Sequence, residues 1–241
     1  MDPMHLRSCM VLGDEALACL QNKHVIVFGL GGVGGHAAEA LCRGGIGEIT
    51  LVDFEIFEET NLNRQLFATR KTIGMSKTEA AKARLLEIAP ACRIHCVNLF
   101  FTEETEPEGL FDGVDYILDA IDTVSAKLHL IRKGKELGIP VISSMGTGNK
   151  LDPTAFRVAD LFQTKGCPLA RAMRTQCRKM GIGSCKVVYS EEEPVKSTLI
   201  TDSGHRAPGS VSFVPGVAGM ILAGEIIKDL VKECLSSEPI N

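Results

Sequence analysis

The sequence predicts an α/β fold in which helices cover both faces of a doubly wound, mostly parallel sheet. Three observations predict it. Short apolar segments alternate with amphipathic ones along residues 24–144, as in repeated strand–helix–strand units. The first apolar segment runs into glycines spaced G-x-G-x-x-G, at Gly29, Gly31 and Gly34. The chain has 241 residues, 45% of them apolar, which is enough for one substantial core.

The predicted elements follow in order along the N-terminal two thirds. A helix at 14–20 precedes the first strand. Strands are predicted at 24–29, 49–53, 93–98, 115–118 and 140–144, with helices at 33–43, 76–88 and 124–137 between them. Because the strands are short, continuous and apolar, we expect both faces of a Rossmann-like sheet to be buried.

The C-terminal third has a different pattern. Segments 155–161 (AFRVADL) and 185–194 (CKVVYSEEEP) are predicted to be strands that extend the sheet in an antiparallel portion, with a basic helix at 168–180 between them. Residues 191–209 are polar and rich in turn-forming residues, which favours a mobile loop.

One apolar segment, 211–224, is too short to span a membrane and is interrupted by Pro215. A buried final helix at 216–234 and no membrane insertion are therefore expected. No composition break resembles a linker, so residues 1–241 are predicted to form a single domain. Its parts are an N-terminal arm and helix (1–22), a nucleotide-binding core (23–150) and a substrate-side extension (151–241).

Composition limits the function classes. The net charge is −4 and the sequence pI is near 5.9, so any affinity for nucleic acid must be local. There are nine cysteines, an odd number, and no two of them are spaced as a C-x-x-C pair. This favours reduced thiols, a cytoplasmic location and no zinc centre, and the N-terminus lacks a secretory signal pattern.

The glycine segment predicts a phosphate site. It follows an apolar strand and opens a helix, whose N-terminal amides and dipole favour an anion. Asp53 ends the second strand, where a carboxylate can bind ribose hydroxyls. NAD and ATP fit these two features equally, and a tight turn without a ligand is the remaining alternative.

Three charged residues further along favour ATP. Arg64 and Lys77 can neutralise the β- and γ-phosphates of ATP. A nicotinamide pocket has little use for two such cations. Asp122 follows the fourth strand, at the sheet edge where ligands bind, and can hold Mg²⁺. Each also has a simpler explanation: the cations can be solvated surface charges, and Asp122 can cap the helix that starts near Thr123.

The ordered motifs GLGGVG, LVDFE, NLNRQ, SKTEA and DAIDT resemble the adenylyltransferase domain of the ubiquitin-activating superfamily. The resemblance implies a homodimer that binds ATP and Mg²⁺, with Asp122 as the metal ligand. The implied ATP contacts are Gly29, Gly31 and Gly32 to phosphate, Asp53 to ribose, and Asn61, Arg64, Gln65 and Lys77. Arg64, Lys77 and Asp122 are the implied catalytic residues, joined by Arg7, which would reach the partner's triphosphate; a charge on a disordered arm is the alternative for Arg7.

The C-terminal third narrows the resemblance. It lacks the paired C-x-x-C motifs of the sulfur-carrier adenylating enzymes, and residues 152–182, 186–194 and 209–230 are similar to the tRNA threonylcarbamoyladenosine dehydratases. That implies ATP-dependent cyclisation of a modified adenosine in tRNA. The segment RAPGSVSF has no cysteine, so no catalytic cysteine is assigned. Adenylation of a ubiquitin-like sulfur carrier, and an NAD-dependent oxidoreductase or scaffold, stay open, as does a sulfur-relay partner.

A basic stripe supports a nucleic-acid substrate. From Leu161 to Tyr189 there is no Asp or Glu. The predicted tRNA-binding residues in this segment are Lys165, Arg171, Arg174, Arg178 and Lys179. The three arginines are spaced i, i+3, i+7, so a helix would place them on one face, suited to tRNA phosphates. A solvated face, or pairing with acids of a dimer partner, is the alternative.

Overall fold

The computed structural model describes residues 2–196 and 208–236. The helices are α1 (Leu6–Leu12), α2 (Asp14–Leu20), α3 (Gly34–Arg43), α4 (Lys77–Ile88), α5 (Val124–Leu137), α6 (Pro168–Lys179) and α7 (Val214–Ser236). The strands are β1 (His24–Phe28), β2 (Glu48–Val52), β3 (Arg93–Val97), β4 (Tyr116–Asp119), β5 (Val141–Ser144), β6 (Phe156–Asp160) and β7 (Lys186–Ser190). Short 3₁₀ turns cover Pro3–His5, Glu59–Asn61, Pro153–Ala155 and Leu161–Gln163.

Within the described part of the chain, the seven strands form one sheet in the order β3-β2-β1-β4-β5-β7-β6. Neighbouring strands are parallel except β6 and β7, which are antiparallel. The predicted fold class is thereby confirmed, with β6 as the antiparallel edge. The strand order reverses between β1 and β4, and in open α/β sheets this reversal leaves a crevice at the carboxyl ends of the strands.

Strand β1 shows how the core is built on both faces. Val25 and Val27 pack into the cluster that contains α2, α3 and α7, whereas Ile26 and Phe28 pack with Ala126 of α5 and its neighbours. Successive side chains of a strand point to opposite faces, so a continuous apolar strand needs a helical layer on each side. The sheet is therefore the middle layer of the fold, and the crevice stays open at one edge of it.

Helix α7 begins two residues earlier than predicted, so Pro215 lies in its first turn. A proline is tolerated there because the first backbone N–H groups of a helix have no acceptor within the helix. The apolar segment is buried against α3, as expected, with Ala218 and Leu222 fully enclosed. Among the described residues, no helix is long and apolar enough to cross a membrane.

Most of the predicted mobile loop 191–209 lies outside the described residues, so its mobility stays a prediction. Its two described ends meet at Asn149. The N–H of Val195 donates to the Asn149 carbonyl oxygen (2.7 Å), and the N–H of Gly209 donates to Asn149 Oδ1 (2.6 Å).

The prediction of reduced thiols throughout is wrong for one pair, because Cys19 and Cys234 form a disulfide. They lie 215 residues apart, on α2 and α7, and their Cα atoms are 6.4 Å apart. The packing of α2 against α7 brings the two cysteines together, and no local spacing in the sequence predicts this pair. The other seven cysteines are free thiols.

We expect Gly34→Ala to lower the free energy of unfolding by at least about 2 kcal/mol, because a Cβ there overpacks the turn. An ideal Cβ at Gly34 would lie 1.8 Å from the Gly29 carbonyl oxygen and 3.2 Å from Ala120 Cβ. Gly224→Ala in α7 is the matched control: apart from its chain neighbours and the backbone of its own helix, no atom of the described residues lies within 4 Å of its Cβ position. It should stabilise by about 0.5–1 kcal/mol through helix propensity. Urea unfolding measures both, and equal stability of the two variants would contradict the packing described here.

Candidate active site

A cleft of about 840 Å³ opens at the carboxyl edge of the sheet, where the strand order reverses. Nine residues that the sequence singled out for nucleotide and metal binding all line it. They are Gly29, Gly31, Gly32, Asp53, Asn61, Arg64, Gln65, Lys77 and Asp122. They come from separate segments of the chain, and the topology brings these segments to one place. Their individual roles remain predictions.

The glycine turn joins β1 to α3 and lies close to the end of β4. Gly29 has a φ of +85°, and a Cβ there would lie 2.8 Å from the Ala120 carbonyl oxygen. Gly31 is open on its outer side, since no atom of the described residues other than its chain neighbours lies within 4 Å of its Cβ position. The first turn of α3 holds no acidic residue, so its N-terminal amides and dipole favour an anion in the cleft.

Asp53 is buried and holds the glycine turn. Its Oδ2 accepts a hydrogen bond from the Leu30 N–H at 2.6 Å, and its Oδ1 accepts one from the Glu55 N–H at 2.9 Å. A carboxylate oxygen has two acceptor positions, so each can still take a ribose hydroxyl. The sequence predicted the ribose contact but not this role in fixing the turn.

The segment after β2 presents a cation and an unsatisfied amide. The Arg64 guanidinium donates to the Thr60 carbonyl oxygen and to Asn63 Oδ1, each at 2.9 Å. Gln65 is buried, and its Oε1 accepts no hydrogen bond from the residues that the structure describes. A buried acceptor without a donor costs free energy, so this atom favours a ligand or water at the cleft wall.

Lys77 begins α4 and is only 3% exposed. Its Nζ pairs with the Glu55 carboxylate, which is itself half exposed, and lies 5.9 Å from the centroid of the Phe57 ring. An ammonium group with so little water around it attracts an incoming anion strongly, because solvent screens the interaction weakly. Its position in the cleft suits a phosphate tail.

Asp122 is exposed in the loop between β4 and α5. In the described part of the chain its carboxylate has one hydrogen bond, a long one from Thr123 Oγ1 (3.4 Å). No cluster of three or more His, Cys, Asp or Glu residues suited to a metal occurs among the described residues. A lone carboxylate fits Mg²⁺, which proteins bind through one or two carboxylates together with substrate phosphates and water.

The cleft has a second half that the sequence did not predict. It is lined by residues 144–150, 167–169 and 208–210. The available signal was positional: β5 ends at Ser144 on the same edge, and glycines follow it at 146 and 148. Cys167 borders this half but is only 2% exposed, which gives its thiol little access.

The basic helix is confirmed as α6, and its N-terminal end lines the second half of the cleft. Ala170, Met173 and Cys177 face the core. The predicted tRNA-binding residues Lys165, Arg171, Arg178 and Lys179 are exposed, whereas Arg174 is half-buried and donates to the Thr164 carbonyl oxygen (3.0 Å). A basic surface thus begins beside the cleft.

Arg7 lies elsewhere. It is exposed on α1 and is not among the described residues that line the cleft. The part of the chain predicted as an N-terminal arm contains the helix α1. A role for Arg7 in the site of a second copy of the chain therefore stays a prediction.

A glycine turn opening a helix, an acid at the end of β2 and cations at the strand-order reversal define a nucleotide-binding protein of the Rossmann-like α/β class. The ThiF family model matches residues 5–240. The chain belongs to the ThiF family.

Relatives match over nearly the whole chain. The tRNA threonylcarbamoyladenosine dehydratase of Bacillus subtilis is 41% identical over 239 residues, covering 94% of each protein. The crystal structure of the Escherichia coli tRNA N6-threonylcarbamoyladenosine dehydratase, TcdA, in complex with ATP superposes with a TM-score of 0.88 at 32% identity, covering 96% of this chain and 95% of that one. The complex of the same enzyme with AMP gives the same values.

We expect Asp53→Asn to lower the free energy of unfolding by about 1–3 kcal/mol, because its NH₂ group would face one of the two backbone N–H groups that the carboxylate now accepts. Asp122→Asn is the matched control, since Asp122 has a single long contact within the described residues. It should stay within about 0.5 kcal/mol of the wild type. Chemical denaturation measures the free energy of unfolding of both variants. An Asp53→Asn protein as stable as the control would contradict the role assigned to this carboxylate.

Proposed function

We propose that the protein catalyses ATP-dependent dehydration of N6-threonylcarbamoyladenosine in tRNA, closing a ring through adenylation of the threonyl carboxylate. One observation carries the proposal: the predicted nucleotide residues share a single cleft whose other half opens beside a basic helix. Similarity to dehydratases over nearly the full length of the chain supports the same substrate.

ATP occupies the half of the cleft between the glycine turn and Lys77. The amides at the start of α3 bind phosphate, Asp53 binds the ribose, and Asn61 and Gln65 provide further polar contacts. Arg64 and Lys77 stabilise charge on the departing pyrophosphate. Asp122 would hold Mg²⁺, which when bound neutralises charge on the phosphate oxygens.

The reaction has two balanced steps. In the first, a threonyl carboxylate oxygen attacks the α-phosphorus of ATP, and the bond to the β-phosphate oxygen breaks to release pyrophosphate. In the second, a nitrogen or oxygen of the carbamoyl group on the same nucleoside attacks the activated carbonyl carbon. The bond to AMP breaks and the carbamoyl group loses one proton. The sum is loss of one water from the modified nucleoside, coupled to cleavage of ATP.

The second step needs no nucleophile from the enzyme. The attacking and activated groups belong to one molecule, so their effective concentration is high once they are held in a reactive geometry. The cysteine that lines the cleft agrees with this, because Cys167 is only 2% exposed. Thiols of this kind are poorly reactive.

The tRNA binds along α6. On a protein of net charge −4, this acid-free segment is a local site for phosphates. Arg178 lies 5.5 Å from the centroid of the Phe162 ring, which orients its guanidinium on the exposed side of the helix. Because the N-terminal end of α6 borders the cleft, a tRNA bound along the helix can place a modified base within it.

Further parts of the proposal concern assembly. The protein acts in the cytoplasm as a homodimer, in which Arg7 of one protomer reaches the triphosphate bound to the other. Exposed apolar side chains on α1, Leu6, Met10 and Val11, are available for that contact. A sulfur-relay partner remains open.

Pyrophosphate exchange into ATP, measured with and without tRNA carrying threonylcarbamoyladenosine, tests the function, with nucleoside mass spectrometry for the cyclic product. We expect exchange and product only with the modified tRNA. Exchange with a Gly-Gly-terminated carrier protein instead would favour sulfur-carrier adenylation. A thermal shift with NAD but none with ATP would favour an oxidoreductase or scaffold.

Asp122→Asn should lower kcat by about 10²-fold or more while leaving stability unchanged, because the carboxylate holds the metal that neutralises the phosphates. Its activity should also need a higher Mg²⁺ concentration. Glu136→Gln, an exposed carboxylate on α5, is the control and should behave as wild type. A magnesium titration of initial rates gives both values; an unchanged titration for Asp122→Asn would remove this residue from the metal site.

Arg171→Ala and Arg178→Ala should weaken tRNA binding and each reduce the slope of log K against log salt by about 1, since each removes one phosphate contact. The dissociation constant for ATP alone should not change. Arg84→Ala on α4, a partly exposed arginine paired with Glu39, is the matched control. Fluorescence anisotropy at several salt concentrations measures the slope. An effect no larger than that of the control would show that α6 is a solvated face.

A further inference from the structure

An ion pair lies fully buried directly behind the cleft. Asp119, the last residue of β4, and Lys127, near the start of α5, are both 0% exposed. Neither is among the described residues that line the cleft, but the residues that follow Asp119 are. The pair therefore lies behind the wall of the site without access to a ligand.

The Lys127 ammonium uses all three of its hydrogens. Its Nζ donates to Asp119 Oδ2 at 3.0 Å, to Ser143 Oγ at 3.2 Å and to the Ser144 carbonyl oxygen at 2.7 Å. The third bond matters most for the site. Ser144 ends β5 and begins the loop 144–150, which lines the second half of the cleft.

The Asp119 carboxylate binds the backbone of the loop on the nucleotide side of the cleft. Its Oδ1 accepts a hydrogen bond from the Ile121 N–H at 3.2 Å, and its Oδ2 accepts from Lys127 and from the Ser143 hydroxyl. Ile121 belongs to the short loop that carries Asp122 into the cleft. One charged unit thus binds the backbone of both loops, one on the nucleotide side and one on the substrate side.

Stability alone does not account for such a unit. Burying two charges is costly, and well-packed apolar residues of similar volume often give equal or greater stability than a buried ion pair. Apolar residues cannot supply directional hydrogen bonds to the backbone. Only a fully hydrogen-bonded polar group fixes the orientation of two particular backbone atoms in a dry interior.

We propose that Lys127 and Asp119 are positioning residues that set the spacing between the Asp122 loop and the 144–150 loop. They thereby hold the carboxylate of the substrate in line with the α-phosphorus. This inference rests on the proposed function for its kinetic consequence, but the arrangement of the two loops can be tested without it. Misplacement of reacting groups by about 1 Å can cost about 10²-fold in rate, which is the size of effect expected.

The decisive variant is Lys127→Met/Asp119→Val/Ser143→Ala, because it leaves no buried charge unpaired. Lys127→Met alone would leave the Asp119 carboxylate isolated in the core and would destabilise the fold strongly through that cost. Ser143→Ala alone is a second, milder variant that removes one hydroxyl from the unit. Tyr116→Phe is the matched control: it lies on the same strand, and it removes the buried hydroxyl that donates to Asp229 Oδ2 (2.7 Å).

We expect the triple variant to bind ATP within about threefold of wild type, with kcat for cyclisation lowered by about 10²-fold. Ser143→Ala should show a smaller fall in kcat, again with ATP affinity retained. Tyr116→Phe should lose stability but keep wild-type kcat. A general loss of stability would not separate kcat from ATP affinity in this way. A folded triple variant with wild-type kcat would overturn the inference, as would wild-type kcat in Ser143→Ala if the triple variant does not fold.

Hydrogen exchange provides a readout that does not depend on activity. Backbone amides of 120–123 and 144–150 should exchange faster in the triple variant and in Ser143→Ala, while those of β1 and β2 keep their protection. Unchanged exchange in both loops would overturn the inference even if the wild-type enzyme formed no cyclic product. Absence of that product in the wild type would instead contradict the proposed function.

Discussion

The backbone of Gly29 passes the end of β4 so closely that a Cβ atom there would lie 2.8 Å from the Ala120 carbonyl oxygen. The site depends on this approach, because it brings the start of α3 against the loop that carries Asp122. β1 and β4 are neighbours in the sheet, and the strand order reverses between them. The reversal opens the crevice, the glycine permits the approach, and the Asp53 carboxylate holds the Leu30 N–H so that the turn keeps its shape.

Charge is arranged around that turn with little compensation. The first turn of α3 has no acid, Lys77 has one half-exposed partner, and Asp122 has one long hydrogen bond in the described part of the chain. These groups face the cleft with few partners, whereas Asp119 and Lys127 behind it are paired with each other and buried. Such a division suits a site that receives a polyanion and that must keep its walls rigid while doing so.

Much of this could be predicted from the sequence, for a physical reason. Continuous apolar strands and amphipathic helices have distinct periodicities, and the glycine turn can be recognised because few other residues adopt its backbone conformation. The predicted bounds of β1 to β5 and of α3 to α5 therefore fall within a residue or two of those observed. Gly29, Asp53 and Asp122 could be predicted because each lies just after a strand, and Lys77 because it starts a helix. Asn61 and Gln65 lie between β2 and α4, outside any strand or α-helix, and are implied only by the resemblance of the NLNRQ motif.

What could not be predicted depends on contacts between distant segments. The Cys19–Cys234 disulfide joins residues 215 apart, and Lys127 resembles an ordinary helix lysine until α5 packs it beneath two strand ends. Lys150 is the only charged residue of the loop 144–150, so the sequence of the loop gives little sign of a site. Its place in the cleft follows from the position of β5. Sequence periodicity describes each element separately and contains little information about which side chains meet once the elements pack.

Transfer of AMP onto a substrate carboxylate is tested most directly by the fate of the carboxylate oxygens. The enzyme would be given ATP, Mg²⁺ and tRNA whose threonyl carboxylate carries ¹⁸O at both positions, and the products would be analysed by mass spectrometry. We expect AMP with one ¹⁸O atom and a cyclic nucleoside that retains the other. Unlabelled AMP, or label appearing in inorganic phosphate, would contradict the proposed transfer.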